Sequence, residues 1–216
     1  MPRCNPILLL GLLLLAEPAG AQKVHPLTVG IHDLVSSDWG ANPNERAKTI
    51  LKENSNTLQQ HGCPGVGFEL NGEVTQFTSA SAPADIVDAP TLEKVHLVPF
   101  DVKVVRSIAF CVGKKVDPNT TIGCAWRPEG RPRTVIVTSL VSTKQDNLAF
   151  VLWAHEFGHT TGLLHRFENR NLNLMSPCAL APFNTHVGKR ECRHFVAGPV
   201  QHPPPGLGQT CPPNRR

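Results

Sequence analysis

The chain of 216 residues carries 21 Lys and Arg against 17 Asp and Glu, with 10 His, for a formal charge of +4 at pH 7. This length suits one domain with its own core. The basic residues are scattered apart from the closing Arg215-Arg216, and no aromatic stacking series or basic amphipathic helix accompanies them, which excludes a nucleic-acid partner.

Residues 1–21 read as a secretory signal. Arg3 supplies a positive n-region, residues 7–15 are an apolar run broken by Gly11, and Ala19-Gly20-Ala21 is a small-residue cleavage site. The run is shorter than the about 20 apolar residues of a bilayer span, and no other stretch approaches that length. The sequence therefore predicts a secreted protein, extracellular or periplasmic, with no membrane span. Cleavage before Gln22 removes Cys4 and leaves Cys63, Cys111, Cys124, Cys178, Cys192 and Cys211. An even count in a secreted chain predicts three disulfides, and no pair has the C-x-x-C spacing of a second zinc site. Short loops favour Cys111–Cys124 and Cys178–Cys192, which leaves Cys63–Cys211 to pin the tail.

Leu27, Val29 and Ile31 alternate with Thr28, Gly30 and His32 and predict a first strand. A helix follows from Asn42, with Asn42 as cap, Pro43 at the first helical position and Glu45 completing a capping box. Its apolar face is Ala47, Ile50, Leu51 and Leu58. Val66, Phe68 and Leu70 alternate as a strand, and Asn71-Gly72 signals a tight hairpin into Val74 and Phe77. Residues 78–92 read as a loop, residues 102–110 as a β-branched strand, and residues 122–126 and 134–138 as two more strands. Asn119-Thr120-Thr121 is a glycosylation sequon, which matters only in a host that glycosylates.

Residues 146–159 give the strongest helix pattern, with Leu148, Val151, Leu152, His155 and His159 on one stripe. It runs into His155-Glu156-Phe157-Gly158-His159-Thr160-Thr161-Gly162-Leu163-Leu164-His165, which reads H-E-x-x-H-x-x-G-x-x-H. Histidines four apart share a helix face and can reach one tetrahedral Zn²⁺ at about 2.0–2.1 Å. Glu156 points off that face, toward a water at the metal, where it can act as general base. Continued helix would carry His165 about 9 Å along the axis. The chain must turn after His159, and Gly162 can take the positive φ of such a turn. Three protein ligands leave a fourth position open, as in catalytic zinc sites.

This stretch resembles the metzincin signature. Met175, in Asn173-Leu174-Met175-Ser176-Pro177, looks like the methionine of that family's Met-turn. The resemblance implies a zinc endopeptidase with one catalytic ion on His155, His159 and His165, Glu156 as base, and Met175 packed beneath the ligands. It implies an α+β fold whose α/β-type upper subdomain, about residues 22–161, holds a twisted five-stranded mixed sheet with a backing helix. The zinc helix would floor the cleft. A small irregular lower subdomain, about residues 162–197, would carry a helix near 184–195.

In this family the sheet's edge strand pairs with extended substrate. Gly123, Cys124, Ala125 and Trp126 are assigned to that edge by their position before the zinc helix, although Trp126 suits a core equally. Residues 176–189, with Leu180 and Phe183, would wall the pocket beyond the scissile bond. The implied partner is a protein or peptide substrate, and the chain is expected to be a monomer.

The chain also departs from the family. Arg166 follows the third histidine and leaves the subfamily unassigned. Pro177 stands where astacin- and serralysin-like members carry tyrosine, and this chain has no tyrosine. Pro2-Arg3-Cys4 mimics the matrixin latency motif but lies inside the signal. The few residues between Gln22 and the first strand do not suit a full propeptide, so an enzyme of this kind is expected to be secreted active or controlled by a separate inhibitor. Two other readings stay open: a binding module on an inactive scaffold, against which the intact Glu156 argues, and a zinc hydrolase of a non-peptide amide. Residues 198–216, with Pro203-Pro204-Pro205, read as an irregular Pro/Gly-rich tail.

Overall fold

The computed structural model describes residues 22–128, 131–166, 172–176 and 180–201. The expected signal, the tail from residue 202 onward, Cys178 and Cys211 lie outside the described residues. In chain order the elements are β1 (Lys23–Leu27), β2 (Val29–His32), α1 (Asp33–Ser36), a 3₁₀ turn (Ser37–Trp39), α2 (Pro43–Gln60), β3 (Val66–Leu70), β4 (Thr75–Phe77), β5 (Asp85–Ile86), α3 (Ala89–Leu97), β6 (Val102–Val105), β7 (Ser107–Ile108), β8 (Phe110–Cys111), β9 (Lys114–Lys115), β10 (Val135–Thr138), α4 (Ser139–Lys144), α5 (Asp146–Thr160) and α6 (Lys189–Ala197).

Four parallel strands in the order β10-β6-β2-β4 form the main sheet. Its register explains the core. Val29, Val102 and Val135 form one row and Ile31, Val104 and Val137 another, all in the cluster that holds the buried residues of α2 and α5. Val105, Ile136 and Phe77 join a second cluster with Leu92 and Val95 of α3. Successive strand residues point to opposite faces, so strands covered on both sides are buried throughout, as β2, β6 and β10 are. Lys103, fully buried on β6, donates from Nζ to the His96 carbonyl at the end of α3 (3.3 Å). The predicted stripe of α2 is buried. Burying Ile50, Leu51 and Leu58 stabilises by about 1.5–3 kcal/mol each.

Several local expectations are corrected. Asn42 makes no side-chain capping bond, and Glu45 instead accepts from Lys48 at 2.8 Å. Asn71-Gly72 does not reverse the chain: β3 and β4 are parallel to β1 and β2 respectively, and these two are separated only by Thr28. The region 78–92 contains β5, paired with β7, and the start of α3, closed by a reciprocal Asp88–Thr91 capping box. The fifth strand is reduced to one antiparallel bridge, Gly123 to Val137, with Cys124 N–H donating to Ile136 O at 2.9 Å. Ala125 and Trp126 leave that ladder because their backbone groups bond Glu156 and His96. The C-terminal helix begins at Lys189, later than residue 184.

Cys111–Cys124 forms as expected, but Cys63 pairs with Cys192, which overturns both Cys178–Cys192 and Cys63–Cys211. Packing outweighs loop length here. The turn after α2 lies on the segment before α6, where Val187 N–H donates to His61 O (2.9 Å), and this brings the Cα atoms of Cys63 and Cys192 to 5.0 Å. Among the described residues, no helix is long and apolar enough to cross a membrane.

Candidate metal centre

α5 delivers His155 and His159 from its last turns, and a tight stop returns the chain so that His165 meets them. The stop is a Schellman turn: Leu163 N–H donates to Gly158 O (3.1 Å) and Gly162 N–H to His159 O (3.2 Å). Gly162 takes the predicted positive φ, +88°. The three Nε2 atoms lie 3.2 Å (His155–His159), 3.1 Å (His159–His165) and 3.3 Å (His155–His165) apart. Three ligands of a tetrahedral ion at about 2.0–2.1 Å lie about 3.3–3.4 Å apart, so the triangle fits zinc closely.

The hydrogen bonds behind the rings fix which nitrogen faces the centre. His155 Nδ1 is 2.6 Å from Leu174 O, and His159 Nδ1 is 2.8 Å from Leu163 O. A carbonyl can only accept, so each Nδ1 carries the proton and each Nε2 a lone pair. Two lone pairs facing at 3.2 Å repel unless a cation lies between them. Burial also keeps the imidazoles neutral: it pushes His155 down to about 4, His165 to about 3, and His159 well below its ordinary value. The donor set, three neutral imidazoles, suits Zn²⁺.

Glu156 is buried beside this cluster and rests on the candidate edge segment. A Cβ at Gly123 would sit 2.4 Å from Glu156 Oε1, so only glycine leaves room for the carboxyl. Burial pushes Glu156 up to about 8, opposed by a hydrogen bond from the Ala125 backbone. Its Oε2 is buried with no hydrogen-bond partner among the described residues. Gly123 and Ala125 are thus brought to the site. Cys124 is tied back to Cys111, and Trp126 is half-buried against the second core cluster, with its ring on Gly113 and its carbonyl bonded to His96 (2.8 Å).

No protein-family model matches the chain, and no curated protein matches it. Among solved structures it is similar to archaemetzincin from Methanopyrus kandleri, with a TM-score of 0.44 and 14% identity, covering 83% of this chain and 96% of that one. It is also similar to metalloproteinase-II from Bacteroides fragilis, with a TM-score of 0.44 and 18% identity, covering 83% of this chain and 55% of that one. The chain thus spans about half the length of the second protein. At these values the likeness carries no functional conclusion.

Met175 is fully buried beneath the cluster. Its turn supplies two bonds at the cluster: Leu174 O accepts from His155, and Met175 O accepts Arg166 N–H at 2.8 Å, next to His165. Gly158 permits this approach, since a Cβ there would lie 2.6 Å from Met175 Sδ. The sequence offered a signal for that role, because a glycine inside a helix costs about 1 kcal/mol and marks close packing. Of the two expected pocket-wall residues, Leu180 packs on the main core, whereas Phe183 is 59% exposed.

Proposed function

We propose that the chain is a secreted, zinc-dependent endopeptidase of metzincin type, with His155, His159 and His165 holding one Zn²⁺ and Glu156 as the catalytic base. The observation that carries this reading is the convergence of three Nε2 atoms at 3.1–3.3 Å, two of them with lone pairs fixed by the hydrogen bonds behind their rings, beside the buried carboxyl of Glu156. Zinc, when bound, supplies a Lewis acid that acidifies water and polarises a carbonyl.

The chain supplies the rest. Glu156 Oε2, without a hydrogen-bond partner among the described residues, takes a proton from the attacking water and returns it to the leaving amine. Its raised proton affinity suits an acid–base group working near neutrality, and a neighbouring cation pulls that affinity back down. Gly123, bridged to β10, is the point of this segment that offers an edge to an extended peptide, since Ala125 and Trp126 commit backbone groups to Glu156 and His96. Met175 supports the ligands without binding the ion.

The test is cleavage of an unstructured protein by the zinc-loaded chain, with Glu156→Ala in parallel. Cleavage that is lost in a variant still binding one zinc supports the reading. Absence of cleavage in a zinc-bound wild type would turn the assignment toward a binding protein or a hydrolase of non-peptide amides.

A further inference from the structure

His155 and His159 are placed by a helix, but His165 stands on an irregular segment beyond the Schellman turn. Fixing each residue of such a segment costs about 1–2 kcal/mol of backbone entropy. Metal binding bears that cost unless the protein holds the segment in place beforehand.

Helix α6 supplies such a hold. Arg166, adjacent to His165, places Nη1 at 3.2 Å from Glu191 Oε2, and Glu191 is only 4% exposed. The same oxygen accepts Gly188 N–H at 2.6 Å, which fixes the carboxylate at the start of α6. A Cβ on Gly188 would lie 3.1 Å from Arg166 Nη1 and 3.3 Å from Glu191 Oε2, so glycine leaves space for the ion pair. Glu191 is held in turn by its neighbour Cys192, which is bonded to Cys63 in the turn after α2. The same helix and its exit also grip the end of α5: His194 Nδ1 lies 3.0 Å from Thr161 O, and Val200 N–H donates to Thr160 O at 3.0 Å. The backbone and the side chain of Arg166 are therefore held from two directions, by Met175 O and by Glu191.

We infer that the Arg166–Glu191 ion pair is a positioning device for His165, through which α6 sets the metal affinity of the site. This rests on the proposed zinc reading. Because Glu191 is buried, removing Arg166 leaves its charge uncompensated, which costs more than breaking an exposed pair. Arg166 and Glu191 act on the ligand's position and touch neither metal nor substrate.

The experiment measures the zinc Kd of the full chain by chelator competition for wild type, Arg166→Ala, Arg166→Lys, Glu191→Gln and the Arg166→Ala/Glu191→Gln double variant. The visible spectrum of the cobalt-substituted chains is recorded alongside. Losing a direct hydrogen-bond partner of a metal ligand weakens binding by about tenfold to a hundredfold; Arg166 acts one residue away from His165, so a loss of about tenfold, the lower end, is expected for Arg166→Ala. Arg166→Lys restores most of the affinity and the wild-type cobalt spectrum, and the double variant binds no more weakly than Arg166→Ala. Glu191→Gln keeps an acceptor for Gly188 N–H and reads the charge alone, even if Arg166→Ala is poorly folded. Zinc binding by Arg166→Ala and by Glu191→Gln within twofold of a zinc-binding wild type would overturn this inference and leave the proposed function standing. A wild type that binds no zinc would overturn both.

Discussion

Replacing Gly158 by alanine separates helix propensity from packing at the centre of the site. At an unconstrained helical position, alanine in place of glycine stabilises by about 1 kcal/mol. At Gly158 the added methyl would sit 2.6 Å from Met175 Sδ, 3.2 Å from its Cε and 3.1 Å from Phe195 Cζ. An unstrained carbon contact needs about 3.5–4.0 Å, so Met175 must retreat by roughly 1 Å. Overpacking of this kind costs about 1–3 kcal/mol. The net expectation is a loss of about 1 kcal/mol, with Tm lower by about 2–4 °C in a domain of this size. Urea unfolding of the metal-free chain, followed by circular dichroism, measures it. The decisive comparison is the same substitution in a Met175→Ala background, where the sulfur is gone and the penalty shrinks toward zero or changes sign. A Gly158→Ala chain at least as stable as wild type, or an equal penalty in both backgrounds, would refute the packing argument.

Acid stability should report on the buried polar residues behind Trp126. Burial pushes His96 down to about 3 from an ordinary 6.5, so the unfolded chain binds the proton first. The stability this group contributes is fully present above pH 6.5 and is lost as pH falls from there through 3, on the order of 5 kcal/mol in total. His96→Gln should flatten that limb, and parallel stability curves between pH 6.5 and 4 would contradict the assignment. Lys103 acts in the same direction at higher pH: burial pushes it down to about 7 from 10.5, so stability should rise between those values. Lys103→Met should remove the rise. Breaking Cys63–Cys192 by paired alanine substitutions, a bridge across 129 residues, should lower stability by about 4–5 kcal/mol. Breaking Cys111–Cys124, which spans 13, should cost about 3 kcal/mol, and a reversed order in urea midpoints would show that strain or residual structure dominates.

The centre was the most legible part of the chain, because its chemistry is written in local spacing. Histidines four apart on a helix and a glycine where the helix must stop determine most of the geometry around His155, His159 and Gly162. The sheet was legible where β-branched runs marked it, at Val102–Val105 and Val135–Thr138. Direction was not, since Asn71-Gly72 favours a hairpin in isolation while parallel pairing of β3 with β1 and of β4 with β2 prevents the reversal. The start of α3 carried its signal in Asp88 and Thr91, masked by surrounding Ser, Ala and Pro. Cys63–Cys192 and Arg166–Glu191 join residues distant in sequence, and only the packing of α6 brings them together.

The most direct test of the central claim is X-ray absorption at the zinc edge of the loaded chain. The account predicts one zinc per chain with three imidazole nitrogens at about 2.0–2.1 Å and no sulfur at about 2.3 Å. Sulfur in the first coordination sphere, or fewer than three imidazoles, would contradict the assignment of His155, His159 and His165 as the ligands.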